Sequence, residues 1–364
     1  MGILFTFEAV RMKDVGIGET TIGILLAISS ALFIFSSLFW GNLADRKHCH
    51  KKIITIGSVL FSGLLLYFSF CETPLQFLIY VIVRSTLMPM VNGIMPALAI
   101  ASMGGKRSGA QFGVYRAFGS LGFMCGTMIL PLLLNDIGLV ARVASIILLA
   151  SVFLIRKLPE PEAKKSLGTP LRLKGINPLI TLFLVSFFFI ATAEPALHGF
   201  FHAYARELGG STRLLGILGG VMGMVAFTFL PLMGRIIDHT TPALILAISF
   251  FAQPLRVYLT SLITDPNFLW LPILLHGITW GGVEVSAIVY LSSLVKEDQK
   301  ATILSFYMAT RMLGHLTGSG ISGYLAENFG YTSMFQTIAA IALTGAIIYS
   351  IGSLVLRKKR EQAF

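Results

Sequence analysis

The chain has 364 residues, 55% of them hydrophobic and only 12% charged, with 28 Lys and Arg against 17 Asp and Glu for a formal charge of +11. A soluble domain carries about 25% charged residues, and the mean hydropathy of +0.80 points the same way. Together these exclude a soluble enzyme, a disordered chain and a nucleic-acid binder. The three cysteines, Cys49, Cys71 and Cys125, have no repeated spacing and offer neither a disulfide framework nor a zinc pattern.

Apolar runs near 20 residues long, enough to cross a bilayer as a helix, predict an all-α polytopic membrane protein. In chain order the expected spans are roughly 20–40, 53–71, 75–101, 117–134, 138–155, 178–200, 212–233, 243–263, 267–294, 301–325 and 332–356. The N-terminal MGILFTF is apolar but too short to cross. Basic residues alternate between loops. Arg46, Lys47, Lys51 and Lys52 follow the first span, Lys106, Arg107 and Arg116 lie in 104–116, and RKKR ends the last span. The intervening loops have almost no Lys or Arg, so the basic set is cytoplasmic and the span 20–40 runs from outside to inside. That orientation leaves two readings of residues 1–19. In one, MGILFTF is the outer end of a first helix cut short and EAVRMKDVGIGET is its external loop. In the other, the chain has eleven helices and an external N-terminus.

The segment after the first full span reads Gly41-Asn-Leu-Ala-Asp45-Arg46, and Gly234-Arg-Ile-Ile-Asp238 recurs at the matching place further on. Glycine there would let two helices approach closely at the cytoplasmic mouth, so Gly41, Asp45, Arg46, Gly234 and Asp238 are candidate gating residues. The Pro-rich, charged stretch 156–177 is the expected cytoplasmic linker between an N-terminal bundle, 1–155, and a C-terminal bundle, 178–364. Duplicated halves around a central site are a transporter architecture.

The Gly41-to-Lys52 segment resembles the signature between helices two and three of the major facilitator superfamily, stretched by about two residues. Three further segments resemble the branch of proton-coupled sugar and phenylpropionate permeases. These are Gly113-Val-Tyr-Arg116-Ala-Phe-Gly119-Ser-Leu-Gly122-Phe123, Leu275-His276-Gly277-Ile-Thr-Trp-Gly281, and Gly314 to Gly323 with Ala326-Glu-Asn-Phe-Gly330. The resemblance implies two pseudo-symmetric six-helix bundles, here eleven full helices plus a truncated first. By the same resemblance Arg256 and His276, 20 residues apart, belong to a proton-coupling network, Arg116 binds substrate and Phe123 stacks on it. Two family acids are missing. Thr279 stands one turn after His276, and Ala97-Leu98-Ala99 follow Pro96.

A charge in the hydrocarbon core costs about 2.5–3.5 kcal/mol on insertion scales, which makes each intramembrane ionisable group a functional candidate. Helix rise places Glu284 and Arg311 roughly 15 and 18 Å from the cytoplasmic end, close enough in depth to pair. Such a pair fits a proton carrier that trades its Arg partner for a proton, or a permanent structural tie. Glu194 precedes Pro195, with His198 one turn later on the same face. It is either a binding or proton site at a broken helix or a group reaching water at the outer mouth. In the N-terminal half the deep charges read as all positive, with Arg84 and Asn92 on one span. Arg116 without its family carboxylate is free to hold an anion, or serves as a cytoplasmic anchor.

The sequence therefore predicts a proton-coupled symporter of a small organic solute, an organic or aromatic carboxylate first, a sugar or nucleoside next. Proton coupling is expected at Glu284, His276, Arg256, Glu194 and Arg311, and substrate binding at Arg116, Phe123, Arg84, Asn92 and His198. The expected partners are a small-molecule substrate, protons and the lipid bilayer, with no nucleic acid, cofactor or metal and a monomeric state. An exporter of hydrophobic compounds and a truncated, non-transporting relative are the alternatives. An intramembrane enzyme has no Ser/His/Asp set or His-rich cluster to support it.

Overall fold

The computed structural model describes residues 2–47, 49–95, 109–155, 177–296 and 299–361, and the side chains of 45, 109–117, 301 and 357–361 lie outside the described set. The regular structure among these residues is helical. A short α1 (Gly2–Asp14) precedes α2 (Glu19–Lys47), α3 (His50–Phe68), α4 (Pro74–Asn92), α5 (Gly109–Leu133) and α6 (Ile137–Ile155). Then come α7 (Pro178–Glu207), α8 (Thr212–His239), α9 (Pro242–Ser261) and α10 (Pro266–Ser293). The last helical segment, Lys300–Glu361, breaks at Gly330 (φ 78°, ψ 163°) into α11 (300–329) and α12 (331–361). That backbone conformation favours glycine and ends one crossing before the next begins. With this break, each of the eleven expected spans has its helix. The expected extension of the 75–101 span past 95 and the linker residues 156–176 lie outside the described residues.

Helix starts follow local chemistry. Thr73 accepts from the Gln76 amide at 3.3 Å while the Gln76 side chain accepts from the Thr73 amide at 3.0 Å, so α4 opens on a capping box with Pro74 at its first position. Ser211 caps α8 through the Leu214 amide at 3.2 Å, and Asp136 accepts the Leu139 amide at 2.6 Å at the head of α6.

Two expectations are corrected. Residues 8–14 are helical rather than an external loop: α1 runs to Asp14 and buries Ile3, Leu4, Phe7, Glu8 and Val10 against α5, α6 and α7. The apolar spacing at 3, 4, 7 and 10 is that of one helix face, and it carries Glu8 into the interior. The Gly41–Arg46 segment is not a loop either, because α2 continues to Lys47, and Gly234–Asp238 closes α8. Among the described residues a Cβ at Gly41 or Gly234 would meet nothing within 4 Å. Arg46 and Asp238 are exposed, and the Asp45 side chain lies outside the described residues.

The close approaches lie toward the other end. A Cβ on Gly23 of α2 would come within 2.5 Å of the Ser319 carbonyl and 2.9 Å of the Gly323 Cα on α11. Gly219 and Gly220 of α8 would meet Thr6 and Met128, both at 2.8 Å. Small residues let the helices come close there, so among the described residues the two halves meet at this side.

Candidate functional site

A cavity of about 180 Å³ opens between the halves, lined by α1, α2 and α4 on one wall and α7 and α11 on the other. Its surface is mostly apolar, with Phe5, Leu26, Phe33, Met88 and Met312 among the lining side chains. Polar groups come from Glu8, Ser29, Ser30 and Arg84 on one wall and His198, His315 and Ser319 on the other. Such a lining, apolar with a few convergent polar groups, makes this cavity the candidate site.

On the N-terminal wall Arg84 is 6% exposed and Glu8 5%. Arg84 Nε lies 3.2 Å from Glu8 Oε1, and Arg84 Nη2 donates to Ser29 Oγ at 2.5 Å, with Ser85 donating to the same oxygen at 2.9 Å. The deep charge of this half is therefore not all positive. One of the two sequence readings of residues 1–19 places Glu8 in an external loop, and the helical period of 3, 4, 7 and 10 is the signal that reveals it.

The C-terminal wall carries a shared guanidinium. Arg311 Nη1 donates to Glu284 Oε1 at 2.7 Å, and its Nε and Nη2 reach the Glu194 carboxylate at 3.2 Å each. The expected Glu284–Arg311 contact is present, and Glu194 joins it rather than reaching water at an outer mouth. His315 Nε2 donates to Glu194 Oε2 at 2.5 Å and also lines the cavity. Phe187 and Tyr307 lie beneath the guanidinium, with ring centroids 6.0 and 5.8 Å from its carbon.

Two π-helical turns shape this wall. Pro195 lacks an N–H, so the α7 ladder re-registers over Ala196–Phe200, and α10 does the same over Gly277–Gly281. The turns bring His198 and His276 edge to face at 5.7 Å, and His276 stacks on Trp280 at 5.6 Å. Arg256 Nη1 lies 3.0 Å from His276 Nδ1 and 3.4 Å from Thr279 Oγ1. A guanidinium only donates, so Nδ1 accepts and the His276 proton sits on Nε2. Arg256 and His276, which the resemblance places in one proton-coupling network, are in contact, but Arg256 occupies the nitrogen that a second proton would take.

The remaining predicted residues fall elsewhere. Asn92 is exposed at the end of α4, Phe123 lies near Gly2 rather than on the cavity wall, and the Arg116 side chain lies outside the described residues.

Above the cavity a latch joins the halves. Lys13 binds Glu19, also bonds Glu207 at 2.7 Å, and its Nζ lies 4.9 Å over the Tyr331 ring. Arg206 holds Asp14 through two bonds of 2.9 and 2.8 Å, and Glu327 accepts the Thr20 amide at 2.6 Å. None of these stands out in the sequence, since only the fold brings residues 13–20 to residues 206, 207, 327 and 331.

The sequence profile described as Major Facilitator Superfamily matches residues 1–319. The chain belongs to the major facilitator superfamily. It is a multi-pass membrane protein of a transporter family, with the all-helical fold that family shares. It is 26% identical over 356 residues to "Multidrug resistance protein MdtG" of Escherichia coli O6:K15:H31 (strain 536 / UPEC), covering 92% of this chain and 85% of that one. The same identity and coverage hold for MdtG of E. coli strain K12 / DH10B. Among solved structures it is similar to a mutant of the nucleoside transporter NupG, with a TM-score of 0.84 at 15% identity over 96% of this chain and 95% of that one. A POT family transporter in complex with a thioalcohol-conjugated peptide matches with a TM-score of 0.69 at 16% identity over 97% and 91%.

Proposed function

We propose that the chain is a proton-coupled secondary transporter of small amphipathic organic solutes, working as a monomer by alternating access between bundles 1–155 and 178–364, and exporting its cargo in exchange for protons. The observation that carries the reading is the chain His315–Glu194–Arg311–Glu284, which starts at the cavity wall and shares one guanidinium between two carboxylates. A proton entering at His315 would reach Glu194. Neutralising it would release Arg311 toward Glu284, a local charge change able to bias the packing of α7, α10 and α11. The mostly apolar lining supports an amphipathic cargo. Pairing of Arg84 with Glu8 neutralises one of the deep positive charges behind the expectation of a carboxylate, while Arg116 lies outside the described residues. The printed name of the 26% identical relatives, a multidrug resistance protein, supports the outward direction.

A second reading, uptake by proton symport, has one observation in its favour. Arg256 and His276 are in contact, as the resemblance to the sugar and phenylpropionate permeases implies. Proteoliposomes separate the two. With an inside-acid gradient and ethidium or benzoate outside, the antiporter accumulates the probe in the lumen. The symporter accumulates it only when the outside is acid. Accumulation that ignores the gradient would sink both.

A further inference from the structure

Behind His198 lies a second, narrow space of about 10 Å³, with Glu194, Gln253, Arg256, Thr279 and Trp280 among its lining residues, near the smallest volume that holds one water. His198 lines both this space and the main cavity, so its imidazole is the wall between them. Among the described residues the two other buried guanidiniums have counter-charges: Arg84 has Glu8, and Arg311 has Glu194 and Glu284. Arg256, 1% exposed, has no carboxylate within ion-pair distance among the described residues. Its polar neighbours are a neutral imidazole nitrogen and a hydroxyl, and its Nη2 is buried with no partner. A guanidinium has five donors and no acceptor, and a buried charge without a counter-charge is costly. Glu194, the acid on this wall, is taken up by Arg311 and His315.

We propose that this space is an anion subsite, in which Arg256, with Thr279 and Gln253 beside it, holds a halide or the carboxylate end of an anionic cargo. At about 10 Å³ it is water-sized as it stands, so an ion or one end of a carboxylate enters as the lining side chains shift outward. A longer cargo would reach it from the main cavity by turning His198 aside, with its apolar body remaining among Phe5, Leu26 and Met312. Arg256 is then a specificity-determining residue rather than a member of the proton chain. The subsite binds whichever way the protein transports, so its test does not depend on the direction of transport.

The test is thermal unfolding of the purified full chain in detergent, with sodium chloride replacing sodium methanesulfonate at constant ionic strength. The expected result is a midpoint that rises with chloride and saturates, by about 2–4 °C near a hundredfold excess over the dissociation constant. Bromide should act alike and give an anomalous scattering peak beside Arg256 Nη2 in crystals. Arg256→Gln should remove the shift, and Thr279→Val, which keeps the fold if the first variant does not, should weaken chloride binding about tenfold. Benzoate identifies the source: a shift that competes with chloride assigns the site to a cargo carboxylate as well, and a shift with halides alone assigns it to inorganic anion. Equal midpoints in both salts, or a chloride shift that survives in both variants, would overturn the proposal and leave the space to water.

Discussion

Gly23→Ala places one methyl in the seam that closes the outer side. Its Cβ would stand 2.5 Å from the Ser319 carbonyl and 2.9 Å from the Gly323 Cα, whereas ordinary contact begins at 3.4 Å, so the seam must open by about 0.9 Å. Both obstacles are backbone atoms and cannot rotate away. Overpacking of this kind costs about 1–3 kcal/mol. The cost falls on the state in which α2 and α11 touch outside and not on one in which that seam is parted. The equilibrium should then shift toward outward opening by roughly 5- to 150-fold. The assay is labelling of a cysteine at Ser30, which lines the cavity, by a membrane-impermeant thiol reagent added outside, with the three native cysteines replaced. Labelling should accelerate at least fivefold. Unchanged labelling together with a lowered thermal midpoint would refute the reasoning, because the methyl would then be destabilising the fold without moving the gate.

Glu8→Gln removes the counter-charge of Arg84, both nearly buried. Breaking a fully buried pair costs about 3–5 kcal/mol, reduced here by the adjoining cavity, so a thermal midpoint lower by a few degrees is expected, and no change would argue against the pair. Asp14→Arg should speed labelling at Ser30 from outside, and Asp14→Arg with Arg206→Asp should restore it, since the two residues form a half-buried bidentate pair; failure of the double variant to restore would discount the latch. Burial pushes the Cys71 thiol up to about 11, against a smaller lowering by Arg11. At pH 8 only about one thiol in a thousand is then ionised, and alkylation at Cys71 should rise about tenfold per pH unit up to pH 11. A rate that levels off near pH 9 would contradict this.

The spans were legible because bilayer thickness fixes the length of an apolar run, and the eleven expected runs each became a helix. Interior charges were legible as candidates for the same reason, and depth alone was enough to match Glu284 with Arg311. Partners contributed by other helices were not. Glu194 joins Arg311 across 117 residues of sequence, and Glu8 was lost because a 13-residue helix falls below the length that marks a span, even though its apolar period was present. The glycine repeat was legible as a pattern, but the state in which its helices meet was not. Among the described residues nothing lies within 4 Å of a Cβ at Gly41 or Gly234 in this state, since which end of a transporter is closed is a property of conformation and not of sequence. The latch lay beyond reach for a similar reason: charges in outer loops normally face water, and only the fold pairs residues 13 and 14 with 207 and 206.

Proton movement into proteoliposomes, followed by a pH-sensitive dye in the lumen, tests the proton chain directly when Glu284→Gln is compared with the unaltered chain. The account predicts cargo-driven proton flux in the unaltered chain, with benzoate or ethidium as the driving solute, and its loss in Glu284→Gln while the variant still binds the probe. Proton flux of equal rate in both would contradict it and reduce the Glu194–Arg311–Glu284 cluster to a structural tie.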